Sequence, residues 1–384
     1  MIHTVNRKGT HSVKHEEAFK KFGREGLLPL WVADMDIASP KCVQEALQKR
    51  AAHPIYGYTI YPERYYDAIQ DWMRKRYGWK IEREWIVPCY GVVPSINFAI
   101  EAYTREGDGV IIQSPIYPPF FSSVTRRNRR LLDNTLQYDN GVYRIDFDDL
   151  EAKAKEARML LLCSPHNPTG RAWHKEELEK LTQIALRHDL MIVSDEIHAD
   201  IVYNHPHETL GNFEEVAAQS VILNAPSKSF NVAGLNTSYA IIPDKIVRKH
   251  YIEEQNRSGI TNGNPFGIEA LIAAYEEGES WLEELKQMLW DNIAYIKSFV
   301  QAHSFPIKAV IPEATFLVWL DCRGMKMEQD ELVRFFVHEA RLGLNDGLSF
   351  GEAGRGFMRL NVATSREILE AAMQRLLDAW KERC

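Results

Sequence analysis

Val221-Ile222-Leu223-Asn224-Ala225-Pro226-Ser227-Lys228-Ser229-Phe230-Asn231-Val232-Ala233-Gly234-Leu235 joins an apolar run to a lysine in apolar surroundings. Residues 221 to 223 read as a short buried strand. Pro226 ends it, because proline cannot donate to a ladder and is not found inside a central strand. Lys228 therefore follows a strand end, walled in by Phe230, Val232, Ala233 and Leu235. Such surroundings desolvate an ammonium and lower its pKa toward the range a Schiff-base or general-base lysine needs. Loop lysines are ordinarily solvated, so the meaning of Lys228 depends on what else falls at strand ends.

Outward from this run, further strands are predicted at 85–87, 110–113, 159–163, 191–194 and 238–242. Helical stretches lie between most of them, clearest over 175–188. Continuous apolar strands alternating with helices predict an α/β fold, a mostly parallel sheet covered on both faces. Upstream, Ser39 as N-cap and Pro40 at the first helical position open a helix to about His53, and a second runs from about Pro62 to Tyr77, closed by Gly78. Beyond about residue 267 the pattern changes. Helices at 267–278 and 281–303, a strand at 316–320, a helix at 328–340, a strand at 357–362 and a last helix from 365 form a smaller α+β lobe. The expected division is a large domain at 46–275, a small domain at 276–384, and an N-terminal arm at 1–45 that joins the small domain.

A chain of 384 residues exceeds one typical core, in keeping with two associated lobes. Its 46 basic and 53 acidic residues are interleaved and leave a net charge of -7, so no basic face invites nucleic acid or an anionic membrane. Cys42, Cys89, Cys163, Cys322 and Cys384 are scattered and never spaced C-x-x-C, which fits a reducing cytosol and gives no zinc knuckle. The first residues carry no apolar signal core, and no run approaches the ~18 apolar residues of a membrane span. A soluble, cytoplasmic protein without a resident metal is expected.

In open parallel sheets ligands bind beyond the carboxyl ends of the strands. Gly91-Val92-Val93 follows the first strand and leads into a helix from Pro94 to Tyr103, so its amides suit a phosphate. Tyr117 follows the second strand and offers a ring for stacking. Asn167, in Ser164-Pro165-His166-Asn167-Pro168-Thr169-Gly170, follows the third. Asp195 ends the fourth, where a carboxylate at the edge of an apolar core must find a cationic or donor partner. Arg359 sits between apolar Met358 and Leu360, a poor place for a surface arginine. Gly347-Leu348-Ser349-Phe350-Gly351 matches G-x-S-x-G, but Gly354 and Gly356 follow where a nucleophile elbow needs a helix, and no histidine lies beyond His338. Asp195-Glu196 after an apolar run suggests a magnesium strand, but no phosphate-binding G-x-x-x-x-G-K-[ST] loop accompanies it.

Tyr58, Gly91, Tyr117, Asn167-Pro168-Thr169-Gly170, Asp195, Ser227-Lys228 and Arg359 together resemble, in order and spacing over nearly the whole chain, the aminotransferase class I/II family of fold-type I pyridoxal phosphate enzymes. Within it, Trp31-Val32-Ala33-Asp34-Met35-Asp36, Asp195-Glu196-Ile197-His198-Ala199-Asp200 and Ala225-Pro226-Ser227-Lys228-Ser229-Phe230-Asn231 are similar to the cystathionine β-lyase, or MalY/PatB-type, branch of carbon-sulfur lyases. The resemblance implies an aminotransferase-like three-layer large domain with pyridoxal 5'-phosphate carried on Lys228, which also takes the Cα proton. It implies that Asp195 pairs with the pyridine nitrogen, Asn167 bonds the ring oxygen, Tyr117 stacks, and Gly91, Val92 and Ser227 hold the phosphate. Arg359 would clamp the substrate carboxylate, with Asn167 and Tyr58 also at the substrate. Tyr58 would reach the other subunit of a homodimer. His198 stands where relatives often have a tyrosine bonding the ring oxygen. One departure is Asn236, where many transaminases carry a phosphate-binding arginine.

The implied reaction is β-elimination from cystathionine or another S-substituted cysteine, giving a thiol, pyruvate and ammonia. A transaminase on the same scaffold is the nearest alternative, and a cofactor-bound regulatory protein is the other. Which sulfur amino acid is preferred is not written in these motifs.

Overall fold

Short strands of β-branched and aliphatic residues build the larger of two main sheets. In chain order they are β1 Ile86–Cys89, β2 Gly109–Ile112, β3 Arg130–Asp133, β4 Ala157–Cys163, β5 Met191–Asp195, β6 Ser220–Asn224 and β7 Ser238–Ile241. In the computed structural model, which describes residues 2–260 and 262–383, they lie in the order β1-β7-β6-β5-β4-β2-β3. Met1, Thr261 and Cys384 fall outside the described residues. Only β7 runs antiparallel, to both β1 and β6. Every residue of β2 and of β6 is buried, as helices on both faces of a parallel sheet require. Period-2 geometry sends Ile222 into one core layer and Val221 and Leu223 into the other.

The second sheet is antiparallel, built from β8 Lys308–Val310, β9 Leu317–Asp321, β10 Asn345–Asp346 and β11 Phe357–Asn361 in the order β8-β9-β11-β10. Its apolar face shares one continuous core with the large sheet, from Ile222 and Leu160 through Phe316 to Trp319 and Leu360. The N-terminal stretch belongs to this side. Leu28–Pro29 pairs in parallel with Leu342–Gly343, and the Asn361 amide donates to the carbonyls of Val32 and Asp34 at 2.6 Å each.

Several expectations need correction. The helix expected to begin at Pro40 begins at Lys41. Pro40 is its N-cap, and the Ser39 hydroxyl instead donates to the Asn231 carbonyl at 3.2 Å. The helix expected over 328–340 is α-helical only over Gln329–Arg334 and then widens into a π turn at Phe335–Glu339. Unforeseen elements include the edge strand β3, the hairpin of Gln137–Asp139 with Val142–Arg144, and helices Pro118–Thr125, Phe147–Ala154 and Lys245–Arg257. Gly78 does close the helix Glu63–Tyr77, at φ 66°, a conformation glycine adopts without steric cost.

Candidate active site

Four strand ends of the large sheet and one strand of the small sheet bring their residues together around Lys228. β6 ends at Asn224, and the chain turns through Pro226, whose carbonyl accepts from the Phe230 amide at 2.9 Å. The next residue anchors this turn. The Ser229 hydroxyl donates to Asp200 Oδ2 at 2.5 Å, while Asp200 Oδ1 accepts from Trp72 Nε1 at 3.0 Å and the Tyr77 hydroxyl at 2.5 Å. Lys228 Nζ donates to the Ala33 carbonyl at 2.7 Å. Burial lowers its pKa to about 8; Asp34 and Asp195 oppose the shift and Arg359 adds to it.

Asp195, at the end of β5, is 6% exposed and accepts the Ile197 amide at 3.1 Å. Burial lifts its pKa to about 7; the Ile197 amide and Lys228 oppose the rise, and Glu196 adds to it. Glu196 is engaged elsewhere, accepting from Ser194 Oγ, the Leu210 amide and His207 Nε2 at 3.0 Å each. The two adjacent acids thus do different work. Glu196 braces a loop, and Asp195 is the one whose charge Lys228 feels.

Arg359, on β11, is 3% exposed, so it is no surface arginine. Its Nη1 donates to Asn167 Oδ1 and its Nη2 to the Trp31 carbonyl, both at 2.9 Å, and Cζ lies 4.8 Å from the Phe350 ring centroid. Its Nε has no partner among the described residues. Burial lowers its pKa to about 10, with Tyr117 opposing, so it stays charged at neutral pH. Tyr117 caps the helix Pro118–Thr125, and burial raises its pKa; the charges of Arg359 and Asp195 reach it. His198 is 3% exposed and its Nδ1 has no partner among the described residues. Burial, with Lys228 and Arg359 adding, holds its pKa well below the usual imidazole value, so the ring is neutral.

Lys228, Asp195, Asn167, Tyr117, His198 and Arg359 therefore form one cluster. At the neighbouring end of β1, Gly91 has φ 121°, a conformation costly for any residue with a Cβ. Its amide donates to Ser238 Oγ at 2.7 Å. Val92 opens the helix Val92–Tyr103, and Ser227 is half-buried beside Lys228. Tyr58 is not brought into this cluster. It is 98% exposed, in a stretch where Ile55, Tyr56 and Ile60 are exposed too. Asn236 is exposed, with φ 46°.

The residues that sequence reasoning missed are partners, not chemistry. The segment 31–36 supplies carbonyls to both Arg359 and Lys228. It is held by Arg7, which bridges both Asp34 oxygens at 2.6–2.7 Å, and by fully buried Lys14, which meets Asp36 at 2.7 Å. The Asn231 amide also donates to the carbonyls of Met35 and Ile37 at 3.1 and 2.7 Å. Two carboxylates beside an apolar run signal that cations must cover them. Nothing in the spacing says that those cations are Arg7 and Lys14.

Residues 27–376 match the sequence model of the family described as aminotransferase class I and II. The chain is 38% identical over 374 residues to cystathionine beta-lyase PatB of Bacillus subtilis (strain 168), covering 96% of this chain and 97% of PatB. It is 32% identical over 380 residues to protein MalY of Escherichia coli (strain K12), covering 98% and 97%. Among solved structures it is similar to cystalysin from Treponema denticola, which contains a pyridoxal 5'-phosphate cofactor. That match has a TM-score of 0.95 and 34% identity, over 100% of this chain and 98% of the other.

Proposed function

Because the chain belongs to the aminotransferase class I and II family, we propose that it is a pyridoxal 5'-phosphate-dependent carbon-sulfur lyase acting on cystathionine and other S-substituted cysteines. The observation that carries the proposal is the half-buried Lys228 amine, held on the Ala33 carbonyl at 2.7 Å and of lowered basicity, within the fields of Asp195 and Arg359. The choice of elimination over amino transfer draws support from the likeness to PatB.

The donor set fits the cofactor. A half-buried amine of lowered basicity suits an aldehyde, a buried carboxylate suits a pyridinium, and the unpartnered His198 Nδ1 offers a further polar contact. When bound, pyridoxal phosphate supplies an electron sink for charge developing at Cα. Lys228 would carry it, with Asp195 at the ring nitrogen, Asn167 and His198 at the ring oxygen and Tyr117 against the ring face. Val92 and Ser227 would meet the phosphate, with Gly91 shaping that turn.

Arg359 orients the amino acid by its carboxylate, a bidentate match that a lysine lacks. Neutral Lys228 Nζ takes the proton at Cα, and its pKa near 8 keeps an appreciable fraction unprotonated at neutral pH. With cystathionine, water and the eliminated fragment account for every atom, as homocysteine, pyruvate and ammonia.

The exposed Tyr58 stretch supports a homodimer in which this tyrosine serves the partner's site. Among the described residues no helix is long and apolar enough to cross a membrane, and Cys42, Cys89, Cys163 and Cys322 are unpaired. Both support a cytoplasmic setting, and the proposed substrate supports a role in sulfur amino acid metabolism, methionine biosynthesis included.

Purified holoenzyme given cystathionine should release pyruvate and free thiol in equal amounts, with Lys228→Ala releasing neither. Conversion of a 2-oxo acid to its amino acid without net ammonia would favour amino transfer instead. For the dimer, mixed Lys228→Ala and Tyr58→Ala chains should recover up to about a quarter of wild-type activity, because half of random pairs carry one intact site. No recovery on mixing rejects the shared site.

A further inference from the structure

Away from the Lys228 cluster, three residues far apart in sequence bring metal-ligating atoms together. His174, at the start of the helix Lys175–Arg187, His205 and Glu313 place one ligand atom each within 4.8 Å of one another. We propose that His174, His205 and Glu313 form a divalent transition-metal site that clamps the seam between the large and small sheets. Nothing about the spacing of the three residues announces it, and it is independent of the lyase chemistry proposed above.

Three observations point to a ligand. First, His205 Nδ1 lies 3.0 Å from the Pro206 carbonyl, which can only accept, so the proton sits on Nδ1 and the Nε2 lone pair is left to bind. A backbone carbonyl on the far nitrogen is the arrangement that orients metal-bound imidazoles. Second, that Nε2 is buried and has no hydrogen-bond partner among the described residues. An acceptor so placed has lost water without compensation. Third, the ring centroids of His174 and His205 lie 4.3 Å apart with their planes tilted by 34°, so the two imidazoles are already neighbours.

Charge is favourable too. Glu313 accepts from Arg171 Nη1 at 3.3 Å and from the Ala172 amide at 3.0 Å, while Arg171 Nη2 also meets Glu177 at 2.6 Å. One guanidinium therefore faces two carboxylates, so acidic groups outnumber the guanidinium beside the two imidazoles. Bonds of about 2.0–2.1 Å in a tetrahedral site require side-chain shifts of about 1 Å, with a water completing the set. Two imidazoles and one carboxylate favour zinc, nickel or copper over magnesium or calcium.

The position gives the clamp its consequence. The amides of Glu313 and Ala314 donate to the Gly170 carbonyl at 2.9 and 3.0 Å, the Tyr203 amide donates to the Glu313 carbonyl at 2.9 Å, and Val202 bridges Ala314. The strap leading into β9 thus lies between the loop that carries Asn167 and the loop that carries His198. An ion there ties both loops to the small sheet.

The test uses chelator-treated holoenzyme titrated with zinc alone, followed by gel filtration, elemental analysis and thermal melting. One zinc per chain should be retained and the melting temperature should rise. His174→Ala and His205→Gln should each weaken zinc binding at least about 100-fold and abolish the rise, since changing even an outer partner of a ligand costs 10–100-fold. Both variants should keep the cofactor absorbance near ~420 nm and the far-ultraviolet spectrum of the parent, which shows that they fold. Zinc that is not retained stoichiometrically, or is retained equally well by either variant, overturns the proposal.

Discussion

Replacing Arg359 with lysine keeps the positive charge and removes the planar fork, so it isolates what the guanidinium geometry contributes. Arg359 now makes two hydrogen bonds of 2.9 Å, to Asn167 Oδ1 and the Trp31 carbonyl. An incoming carboxylate competes for the same donors and for the unpartnered Nε. Hydrogen bonds from a charged donor contribute about 1.5–3 kcal/mol each. Lysine can supply one carboxylate contact but not two parallel ones, so the expected loss is about 2–3 kcal/mol, or about 30- to 160-fold in kcat/KM. Most of it should fall in KM, because the substrate carboxylate is held equally before and during proton removal. Steady-state kinetics of Arg359→Lys with cystathionine, followed by pyruvate release, measures this. The cofactor spectrum should be unchanged, since Arg359 is assigned to the substrate. A kcat/KM within threefold of the parent, or a loss confined to kcat with cofactor released, would refute the reasoning.

Two further expectations concern the lysine and its anchor. Because the Lys228 pKa is lowered to about 8, its neutral form gains ground as pH rises through that value. Capture of pyridoxal phosphate by cofactor-free protein should therefore speed up about tenfold from pH 7 to pH 9 and then level off. A rate still climbing above pH 9, as for an ordinary lysine of pKa about 10.4, contradicts the shift. Asp200→Ala leaves the buried donors of Trp72, Tyr77 and Ser229 without their acceptor and should cost about 3–5 kcal/mol in urea unfolding. A loss below about 1 kcal/mol would mean that Asp200 does not anchor the Lys228 turn.

What could be read in advance follows from where the physics is local. Lys228, Asn167 and Asp195 could be found because each follows an apolar strand, and an apolar run with a breaker is visible without knowing the fold. Arg359 stood out because its strand neighbours are apolar. Strand β3 was missed because edge strands tolerate charge, and Arg130 and Asp133 disguise it as loop. The helix Lys245–Arg257 is so polar that its apolar stripe is faint, although Asp244 caps it through the amides of Ile246 and Val247. At the site, the hydrogen-bond acceptors were illegible. That Ala33 and Trp31 receive Lys228 and Arg359, or that Ser238 takes the Gly91 amide, depends on how distant segments cross and not on which residues they contain.

Borohydride reduction of the holoenzyme, followed by proteolysis and mass spectrometry, fixes the cofactor to whichever amine carried it. The reduced pyridoxyl phosphate mass is expected on the peptide containing Lys228, with loss of the ~420 nm band and of pyruvate release in step. That mass on another lysine, or on none while the lyase activity survives reduction, would contradict the assignment.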